Sequence, residues 1–117
     1  MKTILVIEDE LLIQDLFVTL LEVEGYTVLA AEDGQEGVRM ALEHRPDLVL
    51  SDLSLPGLNG YQVVEQLNPQ GLKVVAVTAH SRAEDVRKIE EAGFTGYLSK
   101  PVDPRSFVKN LQPFLKP

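Results

Sequence analysis

Short apolar runs recur along this chain, each followed by turn residues and then by a stretch with helical spacing. The runs are ILVI at 4 to 7, TVLAA at 27 to 31, DLVL at 47 to 50, LKVVAV at 72 to 77 and GYLS at 96 to 99. The first, third and fourth have the unbroken Val/Ile/Leu character of strands covered on both faces, as parallel sheets require. Between the runs, Leu12, Leu16 and Leu20 repeat every four residues with Ile13 and Phe17 beside them, and Gly25 is the expected stop. Asp33, with Glu36 three residues on, reads as the cap of a second helix whose Val38, Ala41 and Leu42 face inward and which Pro46 ends. A short third helix is expected from Gly60 to Leu67, halted near Asn68 and Pro69. Ser81 and Glu84 read as a capping box ahead of Val86, Ile89 and Ala92, with Gly93 as the stop. Asp103 and Pro104 open a fifth helix carrying Phe107, Val108 and Leu111, and Pro113 is expected to end or kink it early.

Five strands alternating with five helices predict an α/β fold of (βα)5 order, because helix-containing crossovers force a parallel sheet. The doubly wound arrangement puts helices on both faces. Ligands then bind outside the carboxyl ends of the strands, where the strand order reverses.

Composition narrows the function classes. The chain has 117 residues, 44% hydrophobic and 25% charged, which suits one globular domain. No apolar run approaches the roughly 20 residues that span a bilayer. The start MKTILVIEDE turns acidic too soon for a signal peptide, so a cytoplasmic protein without membrane contact is expected. The absence of cysteine removes disulfides, thiolate zinc sites and thiol nucleophiles together. Eleven Lys+Arg against eighteen Asp+Glu give a net charge of -7 with no basic cluster, so direct nucleic-acid binding is not expected.

The polar residues at the strand ends carry the chemistry. The first strand runs into Glu8 and Asp9, the third into Asp52, the fourth into Thr78, and the fifth into Ser99 and Lys100. If these strands are neighbours, three carboxylates, a hydroxyl and an ammonium converge on one pocket. Carboxylates so close repel one another unless a cation neutralises them, and an all-oxygen donor set suits Mg2+ better than zinc. Lys100 and Thr78 would add charge and a donor for an incoming phosphoryl group, whose transfer needs mainly positioning and neutralisation. Asp52 is then the candidate nucleophile, forming an acyl phosphate. Taken singly, each residue has a plainer reading. Asp52 suits an Asx turn before Pro56 and Gly57, Glu8 and Asp9 suit a helix start, and Lys100 suits a surface. The glycine-containing DGQEG at 33 to 37 lacks the lysine of a phosphate-binding loop, and His44 and His80 are isolated.

ILVIEDE, DLVLSDLSLPGLNG, VVAVTA and GYLSKP, in that order over essentially the whole length, resemble the receiver domain of two-component response regulators. The resemblance implies a flavodoxin-like fold with a five-stranded parallel sheet of order 2-1-3-4-5, and a single receiver over residues 1 to 117. It implies a signalling switch rather than a turnover enzyme. Asp52 would accept a phosphoryl group from a phosphohistidine on a sensor histidine kinase or histidine phosphotransfer protein. Asp9, Asp52 and the backbone carbonyl of Ser54 would ligate Mg2+, with Glu8 acting largely through water. Lys100 would pair with Asp52 and then with the phosphoryl oxygens. Thr78, helped by the backbone N–H of Ala79, would reach toward the phosphoryl group, and Tyr97 would swing inward as Thr78 moves. A downstream protein target would read the change on the fourth helix, fifth strand and fifth helix, while the first helix near Asp9 would dock the phosphodonor. The expected state is a monomer or a weak phosphorylation-dependent dimer.

The resemblance also makes Lys100-Pro101 a cis peptide. Glu8 replaces the commoner Asp and Ser54 a larger residue; Ser54 and His80 flank the path of an attacking water and so bear on phosphate lifetime. GFTGY lacks the acid that often precedes the aromatic in DNA-binding members. Other readings are a module excised from a larger kinase or regulator, and a pseudo-receiver that only binds a partner. The full acidic, Thr and Lys set speaks against the pseudo-receiver. A phosphatase of the haloacid dehalogenase type needs a second acid two residues after the nucleophile, where Ser54 stands.

Overall fold

The computed structural model describes residues 2–115. The chain alternates β1 (Thr3–Ile7), α1 (Leu11–Val23), β2 (Thr27–Ala31), α2 (Gly34–His44), β3 (Leu48–Asp52), α3 (Gly60–Leu67), β4 (Val74–Thr78), α4 (Ala83–Glu91), β5 (Gly96–Ser99) and α5 (Phe107–Leu115), with a 3-10 turn at Asn68–Gln70. All strand pairs are parallel and the order is β2-β1-β3-β4-β5, so the sense in which the chain adds strands reverses between β1 and β3. Every residue of β3 and β4 is buried. Period-2 alternation splits the strand side chains into two cores, as helices on both faces demand. Leu5, Ile7, Val49 and Ala76 pack under α2 and α3, whereas Ile4, Val6, Leu50 and Val77 pack under α1 and α5. Phe17 of α1 and Phe107 of α5 stack at 4.7 Å on that second face.

Several helix ends follow the sequence. Asp33 caps α2 by accepting from the Glu36 N–H at 2.8 Å, and Gly93 (φ 100) follows α4. Elsewhere the fold differs. Leu12 is 87% exposed and Leu16 is also exposed; the inward stripe of α1 is Gln14, Phe17 and Leu21. That stripe wins because Phe17 and Leu21 fit the α5 side of the core, and Gln14 finds polar partners at the strand ends. Leu42 also points outward: α2 buries Gly34, Gly37, Val38 and Ala41, and residue 42 lies about 100° further round the helix. Gly37 is needed there, since a Cβ would collide with the Ile7 side chain.

The Ser81–Glu84 box does not form; α4 starts at Ala83, and the Asp85 carboxylate accepts from the Arg82 N–H. Asp103 instead turns the chain by accepting from the Arg105 N–H, so α5 begins only at Phe107, and Pro113 sits inside its last turns without ending it. Among the described residues, no helix is long and apolar enough to cross a membrane.

Candidate functional site

Strand register gathers the polar strand ends. Ile7 pairs with Ser51, Asp52 with Val77, and Thr78 with Ser99. Glu8, Asp52 and Lys100 therefore leave the sheet at neighbouring points on its carboxyl edge. Lys100 Nζ lies 2.9 Å from Asp52 Oδ2 and 3.2 Å from Glu8 Oε1. Glu8 is 1% and Asp52 8% exposed, while Asp9 is open to solvent. One oxygen from each of the three carboxylates lies within 4.8 Å of the others. Asp52 Oδ1 accepts the Ser54 N–H at 3.2 Å, which bends the loop as Asx chemistry predicts. The start of α3 closes tightly on this loop: a Cβ on Gly60 would run into the Asp52 carbonyl and the Leu53 backbone.

The charges do not balance within the pocket. Burial, and then the nearby Asp52 charge, push the Glu8 carboxyl up to about 7, although the Glu10 N–H and Lys100 hold it down. Burial alone would lower Lys100, but the hydrogen bond and charge of Asp52, followed by Glu8, hold its pKa above the ordinary lysine value. One ammonium thus faces a cluster of three carboxylates. An oxygen-only donor set, partly open at Asp9 and short of positive charge, fits a hard divalent cation.

Thr78 is engaged by its own loop: Oγ1 accepts the His80 N–H at 2.9 Å and donates to the His80 carbonyl at 3.3 Å. Asp9, Ser54, Thr78 and His80 line one cleft of about 560 Å3 that runs to Tyr61 and Lys88. Ala79 is exposed and, with Lys100, borders a neighbouring apolar cleft against Ile13, Leu16 and Phe17. Tyr97 lies on β5 with its side chain 36% exposed, beyond the acidic cluster. The Lys100-Pro101 peptide is cis.

The sequence reading missed Gln14. Its Nε2 donates to the Glu8 carbonyl at 3.1 Å and to the Ala31 carbonyl at 3.0 Å. Its place three residues before Phe17 and seven before Leu21 was the signal for burial.

Comparison with known proteins agrees with this geometry. The response regulator receiver domain family matches residues 4–112. The polar-differentiation response regulator DivK of Brucella anthropi is 34% identical, covering 97% of this chain and 96% of that protein. The chemotaxis response regulator CheY4 of Vibrio cholerae superposes with a TM-score of 0.93 at 28% identity, covering 98% and 99% of the two chains. The receiver domain of a sensor histidine kinase from Pseudomonas aeruginosa, crystallised with a magnesium ion coordinated in its active-site cleft, gives a TM-score of 0.87 at 30% identity over 97% of each chain. Sheet order, strand-end chemistry and kinship converge: this chain belongs to the response regulator receiver domains of two-component signalling.

Proposed function

We propose that residues 1 to 117 form one receiver whose phosphoacceptor is Asp52. The observation that carries this reading is the Asp52 carboxylate at the end of β3, with Lys100 at 2.9 Å and the Glu8 and Asp9 carboxylates beside it. A phosphohistidine of a sensor kinase or phosphotransfer protein presents its phosphorus to an Asp52 oxygen. The new O–P bond forms as the N–P bond breaks, its electron pair returns to the imidazole, and the imidazole takes up a proton. Asp9, Asp52 and the Ser54 carbonyl would hold Mg2+, which supplies charge neutralisation for the transferring group when bound. Glu8 stands behind them, paired with Lys100.

Lys100 then exchanges Asp52 for phosphoryl oxygens. Thr78 exchanges its His80 partners for the phosphoryl group, assisted by the Ala79 N–H, and the space it leaves admits Tyr97. The protein acts on itself, by accepting and losing the phosphoryl group, rather than turning over a separate substrate. Two surfaces suit the partners. The apolar cleft of about 380 Å3 lined by Ile13, Leu16, Phe17, Pro101 and Val102 borders Lys100, and Leu12 is exposed on the same helix α1, which suits docking of the phosphodonor in the cytoplasm. The α4-β5-α5 face, bearing Tyr97, suits a downstream protein. Fluorine NMR with beryllium fluoride tests the acceptor: a bound signal is expected only with Mg2+ and is lost in Asp52→Asn. A signal that survives Asp52→Asn would contradict the assignment.

A further inference from the structure

Gln14 is the only polar side chain buried on α1 among the described residues, at 8% exposed. Both of its amide donations go to backbone carbonyls of different strand ends, 3.1 Å to Glu8 and 3.0 Å to Ala31. The Glu8 carbonyl belongs to the peptide that joins Glu8 to Asp9. On its other side, the Glu8 N–H donates to the same Ala31 carbonyl at 3.1 Å. Both peptide units flanking Glu8 are therefore tied, and the tie crosses α1, β1 and β2. The Glu8 carboxylate has further anchors in Lys100 and the Glu10 N–H, 3.2 Å each. Asp9, by contrast, is exposed, so the direction of its carboxylate depends on the backbone that Gln14 holds.

We infer that Gln14 is a positioning residue for the cation site: by fixing the Glu8-Asp9 peptide, it aims the Asp9 carboxylate at the point shared with Asp52. This rests on the proposed Mg2+ site and adds to it a residue that never touches the ion. Groups that orient metal ligands set affinity because a loose ligand must be ordered when the ion binds.

The test is Mg2+ titration of the full chain, followed by backbone amide NMR shifts around Asp9 and Asp52. Gln14→Met keeps length and burial but donates no hydrogen bond, and its Mg2+ dissociation constant is expected to rise about tenfold. Gln14→Asn keeps the amide on a stem too short to reach both carbonyls; it is expected to weaken Mg2+ binding as well, and serves if the Met variant does not fold cooperatively. Leu20→Ala, which loosens α1 away from the strand ends, is expected to bind Mg2+ like the wild type. Wild-type affinity in both Gln14 variants, or equal weakening in Leu20→Ala, would overturn the positioning role. Absence of Mg2+ binding by the wild type would remove the proposed cation site and this inference with it.

Discussion

Glu8 is almost wholly buried, and Lys100 is the one side-chain cation within salt-bridge reach among the described residues. Its carboxyl is pushed from the ordinary range up to about 7, first by burial and then by Asp52. An acid whose folded pKa exceeds its unfolded value binds its proton more tightly in the fold. Its contribution to stability is full below the unfolded value of about 4.5 and is lost as pH rises through about 7. In metal-free buffer, Glu8→Gln is therefore expected to match the wild type near pH 4 and to melt higher at pH 8, since the neutral isostere carries no buried charge. Thermal unfolding of both proteins across that range checks this; a wild type more stable than Glu8→Gln at pH 8 would contradict it. Glu8, Asp9, Asp52 and Lys100 could be placed together from the sequence because each stands at or within two residues of the carboxyl end of a strand, where a parallel sheet leaves side chains at its rim. Gln14 was overlooked although its spacing to Phe17 and Leu21 marked the buried face; what the sequence does not show is its hydrogen-bond partners, the carbonyls of Glu8 and Ala31, which only the fold brings to it.

The same competition decides whole elements. The apolar pattern of α1 was partly right: Phe17 is buried on Phe107, and Ile13 and Leu20 pack against the core, but packing turns the face so that Leu12 and Leu16 point out and Gln14 meets the strand ends. The caps at Asp33 and Ser81 looked alike in sequence, yet only Asp33 accepts the N–H three residues on, whereas α4 begins at Ala83, with Arg82 rather than Ser81 at its cap position. That helix is lightly held: Ile89 is its only buried residue among those described, and Lys88 sits over the Tyr61 ring at 5.1 Å. An element with so few anchors is suited to shift when Thr78 changes partners. Thr78→Ala is accordingly expected to accept a phosphoryl group and to lose the accompanying change at Tyr97. Ring resonances of Tyr97 before and after phosphorylation read this directly, and a change of wild-type size in the variant would break the proposed coupling.

At the scale of the molecule, parallel topology makes the site. β3 and β4 are buried along their whole length, so a charged residue can appear only where the strand leaves the sheet, and parallel strands all leave on the same side. The alternation of runs and helices was legible for that reason, as was the edge on which chemistry would gather. The order β2-β1-β3-β4-β5 was not contained in periodicity; it came from the family resemblance, and the strand pairings bear it out. The proposed chemistry centres on the Asp52 carboxylate. Intact-mass analysis after incubation with acetyl phosphate and Mg2+, with the adduct mapped by borohydride reduction, tests it most directly. A single phosphoryl adduct on Asp52 that requires Mg2+ and is absent from Asp52→Asn is expected; no adduct on the wild type, or one mapping to another residue, would refute the assignment.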